Sequence, residues 1–217
     1  MRPSMRFVEV KSQAQQEVMA LHRVRALLIR ERTAWMNQMR GLLAECGMAI
    51  AQGAARLRTA LAELLGDADQ RIGAILREAL LEMSERLRSF KERLKRYDRQ
   101  LEALARSDSR AGRLMMVPGV GPLIATALIA AVGDGRQFKS GRALSAWLRV
   151  VPHEHSSGER TILLGISKRG DRYLRTLLIH GARSALRYAP RKADRQSLVP
   201  GTKCTARTEY RSSSNGE

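Results

Sequence analysis

The segment LREALLEMSERLRSFKERLKRYDRQLEAL, residues 76–104, decides the fold class of this chain. Its apolar side chains recur in alternating steps of four and three residues, which is the spacing of a coiled-coil seam, and charged residues fill the outer positions. The seam consists of Leu76, Leu80, Met83, Leu87, Phe90, Leu94, Tyr97, Leu101 and Leu104. A surface helix on its own core usually shows a wider, broken stripe, so we favour a coiled-coil arm.

A second helical pattern precedes the seam and runs from Ala14 to about Cys46, with Ser12 as a plausible N-cap. A shorter helix, interrupted by Gly53, is predicted over residues 48–66. Two partners for the seam stay open. The helix from Ala14 can fold back onto it, or a second copy of the chain can cover it, which would make a homo-oligomer through the arm.

Composition and charge restrict the class of function. The chain has 217 residues, 44% of them apolar, so it is not a fully disordered chain, while 4% aromatic residues are few for a β-sandwich or barrel. The formal net charge of +18 requires a polyanion, for which nucleic acid is the first candidate and an anionic membrane surface the second. Residues 136–195 hold fourteen Lys and Arg against four acids, so over half of the surplus lies there.

Targeting and redox signals favour a cytoplasmic protein. The longest strongly apolar stretch, residues 123–132, is half of the roughly 20 residues that a spanning helix needs. Residues 1–12 have no apolar signal region. Cys46 and Cys204 are the only cysteines, which excludes a disulfide framework or a cysteine-based zinc site.

The patterns divide the chain into four parts. Residues 1–13 include a short strand at Phe7–Val10, and residues 14–108 form the helical arm. Residues 109–190 are predicted as a small helical domain with a helix-hairpin-helix and a short β-hairpin. The hairpin strands are expected at 148–152 and 161–164, between helices at 142–149 and 166–188. The tail 191–217 has no periodicity and is predicted to be disordered. The predicted fold is therefore mainly α.

The sequence VPGVGP at residues 117–122 has the form of a helix-hairpin-helix turn. Gly119 and Gly121 permit close approach of the backbone, and Val120 lies between them. The exposed N–H groups and the positive end of the next helix suit a DNA phosphate without reading its bases. A purely structural helical hairpin is the alternative.

Ser156 and Ser157 lie at the tip of the predicted β-hairpin, flanked by histidines and by Arg160. An exposed hydroxyl that attacks a phosphodiester needs the phosphate charge neutralised and its own proton removed. Taken alone, Ser-Ser-Gly is more often ordinary turn chemistry.

Residues 167–175 combine a helix start, capped by Ser167 or Asp171, with four cationic side chains. We predict phosphate contacts for them rather than a merely solvated face. They are Lys168, Arg169, Arg172 and Arg175.

No carboxylate cluster suited to magnesium lies in this basic half, where Glu154 and Glu159 are expected to pair with arginines. His22 and His180 are expected to be packed or surface residues rather than metal ligands.

In this order, the motifs resemble the insertion-sequence one-ten family of transposases, over roughly residues 2–195. The resemblance is carried by MRFVEVKS at 5–12, LHRVR at 21–25, NQMRGLL at 37–43, the heptad arm, VPGVGP at 117–122, FKSGR at 138–142, HSSG at 155–158 and GISKRGDRYLR at 165–175.

The resemblance implies an activity and partners. Family members have an N-terminal domain with a four-carboxylate magnesium site, a coiled-coil arm, and a C-terminal transposase domain whose catalytic serine becomes covalently joined to DNA. They work as oligomers around a structured guide (bridge) RNA. By position the serine is Ser157, with Ser156 as the alternate. This outweighs the turn interpretation, and the cationic residues named above, with Gly119, Val120 and Gly121, become the expected DNA contacts.

The chain departs from the family pattern at both ends. It begins where the carboxylate domain would finish, and residues 198–217 resemble nothing in the family. We therefore expect a truncated copy that binds nucleic acid but does not recombine it alone. Magnesium is expected for the intact family protein and none for this chain. The rivals are a non-enzymatic coiled-coil DNA-bridging protein, and a partner that dimerises with intact transposase through residues 76–104 and poisons it.

Overall fold

The computed structural model describes residues 10–66, 72–155, 157, 162–166 and 170–188. Within these ranges the chain forms seven helices and one two-stranded antiparallel sheet, which confirms the mainly α prediction. The predicted strand before Val10 and the tail 191–217 lie outside the described residues.

Three helices form the arm: α1 (Gln13–Glu45), α2 (Ala54–Gly66) and α3 (Ala74–Ser107). Ser12 caps α1 as predicted. Its hydroxyl accepts from the backbone N–H of Gln15, and its own N–H donates to the Gln15 side chain, so two otherwise unpaired donors are satisfied. The predicted helix over 48–66 is shorter than expected, because α2 begins only after Gly53, whose φ is +123°.

The partner of the heptad seam is α1 of the same chain. Leu28 packs against Phe90 and Leu94, while Met39 and Leu43 pack farther along with Leu80. The residue numbers rise along α1 as they fall along α3, so the two helices are antiparallel. Because α1 already covers the seam, a homo-oligomer through the arm, which stays a prediction, has to use another face of it.

The remaining helices are α4 (Ser109–Met115), α5 (Pro122–Val132), α6 (Gly141–Leu148) and α7 (Arg172–Tyr188). The short apolar α5 lies at the centre and contacts α1, α3, α4 and α7. Asp108 separates the arm from α4 and accepts from the Arg110 N–H, at the predicted boundary. The division into domains stays a prediction.

The predicted β-hairpin exists, but its boundaries were wrong. Residues 148–152 do not form its first strand, because Ser140 caps α6 and this helix continues through the buried Leu148. The strands are β1 (Pro152–Glu154) and β2 (Leu163–Ile166). The last helix begins at Arg172 rather than Ile166, because Ile166 belongs to β2.

Candidate functional site

Ser157 is exposed at the end of the β-hairpin. Pro152 pairs with Ile166 and Glu154 with Leu163, and the His155 N–H donates to the Ile162 carbonyl over 2.9 Å. Ser157 thus lies two residues after the hydrogen-bonded His155, and because it is exposed, a large substrate can reach its hydroxyl. Ser156 and Arg160 lie outside the described residues.

Gly170, which precedes the cap of α7, lies against the end of α6. A Cβ added to Gly170 would lie 2.8 Å from the Leu148 carbonyl oxygen, so only glycine permits this approach. Arg149, which ends α6, has a left-handed φ of 56° and lies in the same contact. Lys168 and Arg169, which precede Gly170, lie outside the described residues.

Asp171 caps α7; the sequence predicted either Ser167 or Asp171 in this role. Its carboxylate accepts from the backbone N–H groups of Tyr173 and Leu174 over 2.8 and 3.1 Å. Arg172, the first residue of the helix, is exposed. Arg175 is only 7% exposed, so less of its side chain is accessible than that of Arg172, and its phosphate contact stays a prediction. Arg175 lies three residues after Arg172, at the edge of the α7 face that packs against the protein.

A turn joins α4 to α5, and the close approach of the backbone at Gly119 is to protein; the helix-hairpin-helix stays a prediction. Gly119 has φ +86°, and a Cβ added there would lie 2.4 Å from the carbonyl oxygen of Gly181 in α7. This contact supports the structural alternative for Gly119. Val120 and Gly121 are half-buried, and space is open around Gly121, so their phosphate contacts stay a prediction.

A buried polar cluster joins the arm to α5 and α7. His22 lies with Nδ1 2.9 Å from the Tyr173 hydroxyl and Nε2 3.0 Å from the Thr126 hydroxyl. The Thr126 hydroxyl donates its proton to the Pro122 carbonyl, so His22 Nε2 must donate and Nδ1 must accept. Burial, with a smaller contribution from the Arg25 charge, lowers the pKa of His22 to about 4. His22 is therefore a packed residue, as expected.

Sequence reasoning missed Gly181 and Tyr173. A glycine inside a helix costs about 1 kcal/mol, which signals a close packing contact, but the sequence does not say with which residue. Tyr173 was read only as part of a basic motif. Burial raises the pKa of its hydroxyl, which stays protonated and donates to His22.

The described residues do not fit a magnesium ion. Nowhere among them do three His, Cys, Asp or Glu side chains come close enough to hold a metal. Asp108 is engaged by Arg110, whose hydrogen bonds lower the pKa of the carboxyl.

A cavity of about 580 Å³ lies where the start of α1, the end of α3 and the end of α5 meet. Gln15, Asp108, Ile129 and Trp147 are among its lining residues. Of the described residues predicted for the site, none lines it. As for membranes, no described helix combines the length and apolarity that crossing a bilayer requires.

Comparison with known proteins gives a consistent family. Residues 111–197 match the model described as the transposase IS116/IS110/IS902 family. Over 197 residues, the chain is 46% identical to a Pseudomonas aeruginosa protein named "Probable family 20 transposase", covering 90% of this chain and 58% of that protein. It is 43% identical, over 91% of its length and 54% of the relative, to the transposase for insertion sequence element IS1111A of Coxiella burnetii. The chain thus spans a little over half the length of these relatives.

Proposed function

Because the chain belongs to the IS116/IS110/IS902 family of transposases, we propose that it binds DNA through residues 109–188 and supplies Ser157 for strand cleavage and joining in DNA transposition. The observation that carries the proposal is the exposed Ser157, which lies inside the segment that matches the family model. A structured guide RNA and further protein copies belong to the proposal through the family resemblance alone.

The chemistry assigned to Ser157 is a phosphoryl transfer. Its Oγ forms a bond to a backbone phosphorus, and the bond from that phosphorus to one sugar oxygen breaks. The hydroxyl proton passes to water, and the leaving sugar oxygen takes a proton from water. Because one P–O ester bond replaces another, the reverse step can rejoin the strand without an added energy source.

Positive charge near Ser157 would favour this step. Arg172 is exposed at the start of α7, and Gly170 lies against the end of α6. Arg160, Lys168 and Arg169 flank the serine along the chain. Guanidinium and ammonium groups there would stabilise the charge that develops on the phosphate oxygens.

DNA binding is tested with the chain alone, by titrating a fluorescent duplex of mixed sequence at several salt concentrations. We expect the logarithm of the association constant to fall linearly with the logarithm of salt, at about 0.9 per phosphate contacted. An affinity that does not change between low and high salt would contradict the proposal.

The serine is tested by mixing epitope-tagged chain with a full-length family transposase and its DNA, then denaturing and looking for DNA attached to the tag. We expect an adduct that Ser157→Ala abolishes. Ser89→Ala, an exposed serine of α3, is the matched control and should keep it. If the unaltered tagged chain binds DNA but forms no adduct, the DNA-bridging alternative replaces the nucleophile assignment.

A further inference from the structure

One face of α7 carries a row of exposed polar side chains. Residue positions in this row are separated by four, four, three and four, so all lie within about 80° of the helix circumference at 100° per residue. We call this row the α7 stripe; it consists of Arg172, Thr176, His180, Arg183 and Arg187, all of them exposed.

The opposite face of α7 is fixed in the protein. Leu174 is buried with Leu148 and Ala127, and Gly181 meets the backbone of Gly119. A Cβ added to Gly181 would lie 2.4 Å from the Gly119 carbonyl oxygen. This packing determines the rotation of the helix, so the α7 stripe faces outward. The fifteen residue steps from Arg172 to Arg187 give the stripe a length of about 22 Å.

The α7 stripe is cationic, with three arginines and no acid among its five residues. The helix contains no Asp or Glu, and the carboxylate of the preceding Asp171 is engaged by backbone N–H groups. None of the ion pairs among the described residues involves Arg172, Arg183 or Arg187. Arg183 and Arg187 are four residues apart, a spacing at which like charges destabilise a helix, so a bound anion would relieve their repulsion.

We propose that the α7 stripe is a track for the sugar–phosphate backbone of duplex DNA, which rests on the proposed function and adds Arg183, Arg187 and Thr176 to its contacts. Helices that bind membranes present their apolar face to the lipid, whereas Leu174, Leu177 and Leu178 of α7 pack against the protein. Surfaces for single strands use aromatic side chains for stacking, and the stripe has none. Arginines spread along a straight 22 Å row suit regularly spaced phosphates.

The test compares the double variant Arg183→Gln/Arg187→Gln with Arg88→Gln/Arg99→Gln, two exposed arginines of α3 that serve as the matched control. Glutamine keeps the helix propensity while removing the charge. Affinity for a mixed-sequence 30-base-pair duplex is measured by fluorescence anisotropy from 50 to 300 mM KCl. Circular dichroism confirms that each variant is folded.

We expect the α7 double variant to lower the salt slope by about 1.8, which is 0.9 for each lost phosphate contact, while the α3 control keeps the unaltered slope. If the α7 double variant keeps the unaltered salt slope, the proposal that the α7 stripe contacts DNA is wrong, while the proposal that the chain binds DNA is not affected. Loss of affinity for a structured RNA or for anionic vesicles, with duplex DNA binding unchanged, would overturn it in favour of that ligand. If the unaltered chain does not bind the duplex, the proposed function itself fails.

Discussion

His22 couples the stability of the fold to pH. It is 3% exposed, and its pKa of about 4 when folded lies below the ordinary 6.5. Between these values the unfolded chain binds a proton that the folded chain excludes, so the free energy of unfolding falls as the pH drops from 6.5 to 4. The full loss is about 3 kcal/mol, from about 1.4 kcal/mol per unit of pKa.

The measurement is urea unfolding of the unaltered chain and His22→Gln from pH 7 to pH 4.5. Glutamine keeps a donor and an acceptor but does not titrate, so the stability advantage of histidine should shrink as the pH falls. An advantage that stays constant over this range would mean that His22 does not titrate as its burial requires.

Gly181 should tolerate no side chain, because the Cβ of alanine would press into the Gly119 carbonyl oxygen and into Ile124. Gly181→Ala is expected to lower the free energy of unfolding by about 1–3 kcal/mol, the usual cost of overpacking. Gly112→Ala is the control in α4, where space is open and alanine should stabilise by about 0.4–1 kcal/mol. Urea midpoints that rise for both variants would contradict the contact between the turn and α7.

Some contacts of single residues were predictable and others were not. Ser12 and Asp171 were identified as caps because a cap depends on residues within four positions. The burial of Arg175 was not predictable, because it depends on how α7 packs against distant residues. Gly119 was identified correctly as a turn residue, but its contact is made with Gly181, 62 positions away, and no local pattern gives that pairing.

The arm should be stable as a monomer, because the seam on α3 is covered by α1 of the same chain. Phe90→Ala, at a residue that is 4% exposed, should cost about 3–5 kcal/mol. Leu81→Ala, on the same helix but 48% exposed, should cost about 0.5 kcal/mol. The thermal midpoint should not depend on protein concentration. A midpoint that rises with concentration would indicate a second copy on the seam.

Periodicity predicted the helices better than the hairpin. Nine seam positions, over residues 76–104, predicted most of α3, since each repeat is evidence for the next. The strands of the hairpin have only three and four residues, too few to show alternation, so α6 and the strands were divided at the wrong place. At the candidate site, the sequence predicted the exposed Ser157 but not the stripe on α7, because four of its five residues lie outside the motif that drew attention to Arg172.

The arm packs against the C-terminal helices through contacts of α1 and α3 with α5. The first half of α1 packs on α5, where the Gln15 side chain donates to the Ile129 carbonyl and His22 reaches Thr126 and Tyr173. The second half of α1 packs with α2 and α3. Because one continuous helix belongs to both regions, neither can unfold without exposing apolar surface of the other.

The two tryptophans report on these regions separately. Trp35 lies in α1 beside the arm core, and Trp147 lies in α6 with its ring 5.6 Å from that of Phe138. Trp147→Phe leaves Trp35 as the only tryptophan, and Trp35→Phe leaves Trp147. If the chain unfolds as a single cooperative unit, the urea transition followed by fluorescence should superimpose on the transition followed by circular dichroism of the same variant. Separate midpoints for the two reporters would show that α1 does not transmit unfolding. The polar cluster around His22 would then be too weak to join the arm to the region that carries Ser157.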